Sequence, residues 1–147
     1  MINAYTIFAK KIFMPQAMAL DFGIKRTGIA VSDDLKMIAS GLQTVKTQEL
    51  MNFLKSYLSS NNVDVIVIGQ PKHVDGQLMA LERNILWLIE DIKKEFPLLN
   101  VERIDERYSS KIASQAISKS RLSKKRKQNK GLIDEVSATL ILQDYLN

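Results

Sequence analysis

Four acidic residues, Asp21, Asp105, Glu106 and Asp134, stand where an α/β protein places its chemistry. Asp21 closes the apolar run Ala17-Met18-Ala19-Leu20, Asp105 and Glu106 follow a run ending at Ile104, and Asp134 falls in the first turn expected of a C-terminal helix. Strand ends and helix starts are the edge at which an α/β sheet builds its sites. Carboxylates gathered there repel one another unless a cation neutralises them, and oxygen-only ligands suit Mg²⁺ or Mn²⁺. Asp21 ends a desolvated run with no obvious partner nearby, which favours a functional role. Asp105 and Glu106 alternate in direction along a strand, so one of the two faces such a site, and the other has Arg107 for an ion pair. Asp134 could simply answer the helix dipole. Against that, Ser137, Ala138 and Ile141 share its face, and the small pair lets the helix lie close to the sheet, carrying Asp134 towards Asp21.

Phosphate contact is the second chemistry written in the chain. Lys119, Arg121, Lys124, Lys125, Arg126, Lys127 and Lys130 lie in a stretch with no acid, and setting those seven aside leaves 14 basic against 16 acidic residues. The excess positive charge behind the net +5 is therefore one segment. A solvated loop is the plain alternative, but next to clustered acids the run favours a nucleic-acid backbone. Gly23 and Gly28 would let a hairpin backbone approach a phosphate, with Lys25 and Arg26 as contacts; tight-turn glycines explain them equally well. His73 is the only histidine and there is no cysteine, which excludes the usual zinc sites, a Cys nucleophile and a disulfide framework.

The elements that must position these residues follow from periodicity. A length of 147 residues, 46% apolar and 25% charged, suits a single globular core. Residues 17–22 and 29–32 read as a hairpin across the turn 23–28, and 42–45 as a third strand. Thr47 is a fair N-cap for a helix with Leu50, Leu54, Tyr57 and Leu58 on one face. The β-branched run 63–68 suits a central parallel strand covered on both faces. Leu78, Leu81, Ile85, Leu88, Ile92 and Phe96 mark a long amphipathic helix ended by Pro97, and Trp87, between them, is expected to cover a sheet edge. A strand over 100–104, a short helix capped by Ser109 or Ser110, and a final helix over 132–145 complete the order βββαβαβαα. This predicts an α/β fold: a mixed five-stranded sheet, an antiparallel hairpin region continued by parallel strands, with helices on both faces. Residues 1–13 read as an N-terminal extension of unassigned role, with neither a signal-peptide core nor a cleavage site. No run reaches the roughly 18 apolar residues of a membrane span, so a cytoplasmic protein without membrane partners is expected.

Ala19-Leu20-Asp21-Phe22-Gly23 with Arg26, Thr27 and Gly28; Ile68-Gly69-Gln70-Pro71 with Asp75-Gly76; Asp105-Glu106-Arg107 with Ser109 and Ser110; and Lys130-Gly131-Leu132-Ile133-Asp134-Glu135 with Ser137-Ala138 together resemble the YqgF/RuvX family of RNase H-like nucleases, over about residues 16–147. Four motifs in the right order and spacing make a specific signal. The family is described as pre-16S rRNA nucleases and was earlier proposed to resolve Holliday junctions. The resemblance implies a ribonuclease H-like fold, one nuclease domain over 14–147, catalytic and metal-binding acids at Asp21, Glu106 and Asp134, and Asp105 as a less certain metal neighbour. Gln70 stands where the Gly-x-Pro motif is usually apolar, and Ser110 where Thr is common; neither touches the acids.

The expected mechanism holds two Mg²⁺ or Mn²⁺ ions roughly 4 Å apart for in-line phosphodiester hydrolysis. The resemblance to the family implies a 5′-phosphate product. The basic segment clamps the backbone without reading bases. RNA, in 5′-end processing of pre-16S rRNA, is the expected substrate, and branched DNA the alternative. A resolvase cutting symmetric strands normally works as a dimer; with no distinctive dimer surface, a monomer or weak homodimer is expected. The Asp-x-Gly start also opens actin-like ATPases and sugar kinases, but those close two such domains on ATP. A non-catalytic RNA-binding factor in ribosome assembly or transcription is the competing reading of another class.

Overall fold

The computed structural model describes residues 15–71, 76–106 and 109–147, with backbone alone for Gln77, Glu106, Ser109, Ser110 and Lys111. The expected extension 1–13, His73, Asp75 and Arg107 lie outside the described residues.

β1 (Gln16–Phe22) turns back into β2 (Arg26–Ser32), and β3 (Ala39–Lys46) continues the antiparallel run. A 3₁₀ turn at Thr47–Glu49 and α1 (Leu50–Ser60) lead to β4 (Val63–Pro71), which lies parallel to β1 on its other side. α2 (Gly76–Glu95) returns the chain to β5 (Asn100–Glu106), parallel to β4. The five-stranded sheet has the order β3-β2-β1-β4-β5, followed by α3 (Ser109–Ser118), α4 (Lys124–Lys127) and α5 (Lys130–Leu146). The mixed sheet and the helix order match the expectation from sequence. The difference lies in the basic segment, which contains a helical turn, α4, whose N-cap Ser123 accepts a hydrogen bond from the Arg126 amide at 3.3 Å.

Strand alternation divides the apolar residues between two cores of unlike texture. Met18, Leu20, Ile29, Ile66 and Ile68 meet Leu50 and Leu54 of α1 and Ile85 and Ile92 of α2. On the other face Ala17, Ala19, Ala30, Val65 and Val67 meet Ala138, Ile141 and Leu142 of α5. Small side chains on both sides of that second core let α5 lie close against β1 and β2, and it also packs on β3, while α3 packs against α5. Trp87 is 58% exposed and belongs to neither core, so the expected cover of a sheet edge is not made. Among the described residues no helix is long and apolar enough to cross a membrane.

Candidate active site

Asp21 is half-buried near the C-terminal end of β1, directly opposite Gly28 of β2. It belongs to the alternate row of Ala17 and Ala19, the row that α5 covers. Gly28 lies inside β2 rather than in the hairpin turn expected for it, and the reason is packing. A Cβ at Gly28 would collide with the backbone carbonyl of Asp134. The small residues expected to bring α5 close therefore do so, and the closest approach carries Asp134 to the strand position facing Asp21. Helix α5 begins at Lys130, so Asp134 lies a full turn inside it rather than in the first turn. That removes the dipole explanation, whose effect fades within the first turn.

Several polar contacts hold α5 there. Asn129 caps the helix by accepting from the Gly131 amide at 2.9 Å, and Thr44 of β3 donates to the Gly131 carbonyl at 2.5 Å. At the far end the Ala39 amide donates to Gln143 Oε1 at 3.0 Å. The hairpin turn is pinned separately: Thr47 Oγ1 donates to the Gly23 carbonyl at 2.6 Å, and the Thr47 amide donates to the Lys25 carbonyl at 3.0 Å. Because the Thr47 hydroxyl has spent its one proton on a carbonyl, the 2.9 Å contact between the hydroxyls of Thr27 and Thr47 has Thr27 as donor. Gly23 has no room for a side chain, since its Cβ would come within 2.5 Å of the Arg26 carbonyl.

Glu106 ends β5 beside Pro71, and Asp105 pairs with Gln70, so Gln70, expected to stand clear of the acids, is the strand neighbour of one of them. By register, Glu106 shares the alternate row of Glu102 and Ile104, on the α5 side with Asp21, whereas Asp105 shares the row of Val101 and Arg103, on the α2 side. Arg103 grips both carboxylate oxygens of Glu82 on α2, at 2.6 and 2.9 Å, and donates to the carbonyls of Ile68 and Gly69. This tie braces the strand end next to the site.

Arg26, expected from sequence as a phosphate contact, has an unforeseen partner. Its Nε donates to Asp134 Oδ2 at 2.8 Å, an ion pair that nothing in the local sequence announces. A cleft of about 380 Å³ holds Asp134, Lys25, Arg26 and Gly23 against Leu78 and Leu81 of α2. Arg26 also walls a second groove of about 390 Å³, where Lys46 and Arg126 bring further positive charge. Arg121, Lys124, Lys125, Arg126 and Lys130 are exposed, while Lys127 is half-buried and donates to the Ser118 carbonyl at 3.1 Å, tying α4 to the end of α3. Among the described residues no three acids or histidines form a group able to hold a metal ion; the Glu106 side chain is not among those described.

This sheet order, with helices on both faces, defines a ribonuclease H-like domain. A solved structure of Thermus thermophilus RuvC in complex with a Holliday junction substrate superposes with a TM-score of 0.55 at 15% identity, covering 86% of this chain and 91% of that one. The chain belongs to the RuvX family, whose profile, described as Holliday junction resolvase, matches residues 15–147. Its relatives include a Flavobacterium johnsoniae protein 48% identical over 91% of this chain and 97% of its own, named "Putative pre-16S rRNA nuclease". A Bacteroides thetaiotaomicron protein of the same name is 47% identical over 90% of this chain and 96% of its own.

Proposed function

We propose that this chain is a divalent-metal-dependent nuclease that hydrolyses phosphodiester bonds in 5′-end processing of pre-16S rRNA, with residues 14–147 as its nuclease domain. The observation that carries the reading is the packing of Asp134 onto Gly28, the strand partner of Asp21, at the mouth of a cleft lined by Lys25 and Arg26. Asp21, Glu106 and Asp134 are the proposed ligands, and register favours Glu106 over Asp105 as the acid on their side of the sheet. The donor set fits Mg²⁺ or Mn²⁺, being all carboxylate oxygen, and Asp134 already draws a cation, the guanidinium of Arg26. When bound, such ions supply an activated water and charge stabilisation at the leaving oxygen.

The remaining work falls to the chain. Gly28 and the Thr44 tie fix where Asp134 stands, and Thr47 holds the turn that presents Lys25. Arg121, Lys124, Lys125, Arg126 and Lys130 hold the nucleic-acid backbone by charge, without reading bases. Full-length relatives named for pre-16S rRNA favour RNA over branched DNA.

The test is cleavage of a 5′-extended 16S precursor RNA and of a synthetic four-way DNA junction, each with Mg²⁺ or Mn²⁺. Metal-dependent cutting of the RNA at the mature 5′ end is expected. Paired symmetric nicks in the junction alone would make the protein a resolvase, and salt-sensitive binding without cutting would make it an assembly factor.

A further inference from the structure

We infer that Arg26 is an exchangeable counter-ion for Asp134: it neutralises this carboxylate while no metal is held and yields it to an incoming divalent cation. The inference rests on the proposal that Asp134 is a metal ligand. The Asp134 side chain is only 20% exposed, and a carboxylate so far withdrawn from water needs a compensating charge. Arg26 provides it at 2.8 Å.

The manner of the contact separates Arg26 from an arginine built in for structure. The same protein contains one of those: Arg103, 20% exposed, engages both oxygens of Glu82 through two nitrogens and two backbone carbonyls besides. Arg26 is 42% exposed and meets one oxygen of Asp134 through Nε. Nor is the pair needed to place the acid. The backbone at Asp134 is set by its approach to Gly28, by Asn129 and Thr44 at Gly131, and by Gln143 at Ala39. Arg26 can leave without α5 moving.

A guanidinium and a divalent cation on one carboxylate repel each other across a few ångströms, so each weakens the binding of the other. Arg26 also has a place to go. It walls both the cleft containing Asp134 and the neighbouring groove, where Lys46 and Arg126 lie. Once released, its charge stands between the acids and that groove, on the path of a polyanionic backbone crossing from one to the other. Metal uptake and substrate binding are thereby coupled through one side chain.

The experiment is Mn²⁺ binding to the purified full chain, followed by the electron paramagnetic resonance signal of free Mn²⁺, for wild type, Arg26→Gln, Arg26→Lys and Asp134→Asn. Circular dichroism and thermal unfolding are recorded for each without metal. Arg26→Gln is expected to bind Mn²⁺ roughly 3- to 10-fold more tightly than wild type, the size expected from removing one like charge a few ångströms away. Arg26→Lys, which keeps the charge, should stay near wild type, and the rise in melting temperature on adding Mn²⁺ should be larger in Arg26→Gln. Equal or weaker binding in Arg26→Gln, with Asp134→Asn still impaired, overturns the exchange and leaves the site reading intact, as does failure of Arg26→Gln to fold. Wild-type affinity in Asp134→Asn defeats the site reading itself and this inference with it.

Discussion

Gly28 shows how one absent methyl group can shape an acidic site. A Cβ there would strike the Asp134 carbonyl, so Gly28→Ala must push the start of α5 off the sheet. The expected cost is about 1–3 kcal/mol in urea unfolding, as for other overpacked positions, with cleavage falling although no acid has changed. Unaltered activity in a folded Gly28→Ala protein would show that the close approach does not matter. Ser137 makes the opposite case. Its Oγ is buried with no hydrogen-bond partner among the described residues, so Ser137→Ala should raise stability by about 1 kcal/mol in the same titration. At this scale the sequence was legible in part. An acid closing an apolar run such as Ala-Leu-Asp stands out, and Asp21 could be singled out from it, although the structure leaves it half-buried and not fully desolvated. Gly28 could be grouped only with turn glycines, because the contact that requires it comes from the far end of the chain. The Arg26 to Asp134 pair was hidden for the same reason: a long-range polar contact leaves no periodic trace.

Helix α5 and strand β3 act as one frame around the site, joined at Gly131 by Thr44 and at Ala39 by Gln143. The 3₁₀ turn after β3 extends that frame to the hairpin. Thr47 reads from sequence as a helix N-cap, yet the observed caps, Lys46 and Glu49, make no side-chain cap bond, and the Thr47 hydroxyl serves the Gly23 carbonyl instead. A hydroxyl satisfied by a nearby amide and one satisfied by a distant carbonyl look alike in a sequence. Thr47→Val should cost about 1 kcal/mol, the net worth of an ordinary hydrogen bond, and should broaden amide resonances of the 23–25 turn while leaving α1 intact. Melting of α1 instead would restore the capping role. The helices themselves were legible because their apolar spacing repeats: Ile85 and Ile92 of the stripe along α2 are buried, and Leu81, Leu88 and, just past the helix end, Phe96 pack against the same core. The basic segment has no apolar repeat, so its helical turn at Lys124–Lys127 was not readable.

Across the whole molecule, the cationic stretch runs directly into the helix that carries Asp134, so the charge and the proposed ligand are neighbours in sequence. Replacing Lys124 and Lys125 with Gln should weaken RNA binding for every sequence tested and flatten the plot of log affinity against log salt by about 1.4 for a single strand. Lys127→Gln should act instead on stability, since its ammonium holds the Ser118 carbonyl. The mixed sheet was legible because hairpin signals and buried parallel runs differ in composition, and the acid-bearing motifs fall at the ends of β1 and β5 and on α5. The central claim is that Asp21 belongs to the catalytic machinery. It is tested most directly by single-turnover cleavage of precursor 16S RNA by Asp21→Asn in saturating Mg²⁺, with RNA affinity measured in parallel. The expected result is a rate loss beyond about 100-fold, more than an indirect supporting contact costs, at unchanged RNA affinity. Wild-type cleavage by Asp21→Asn would contradict it.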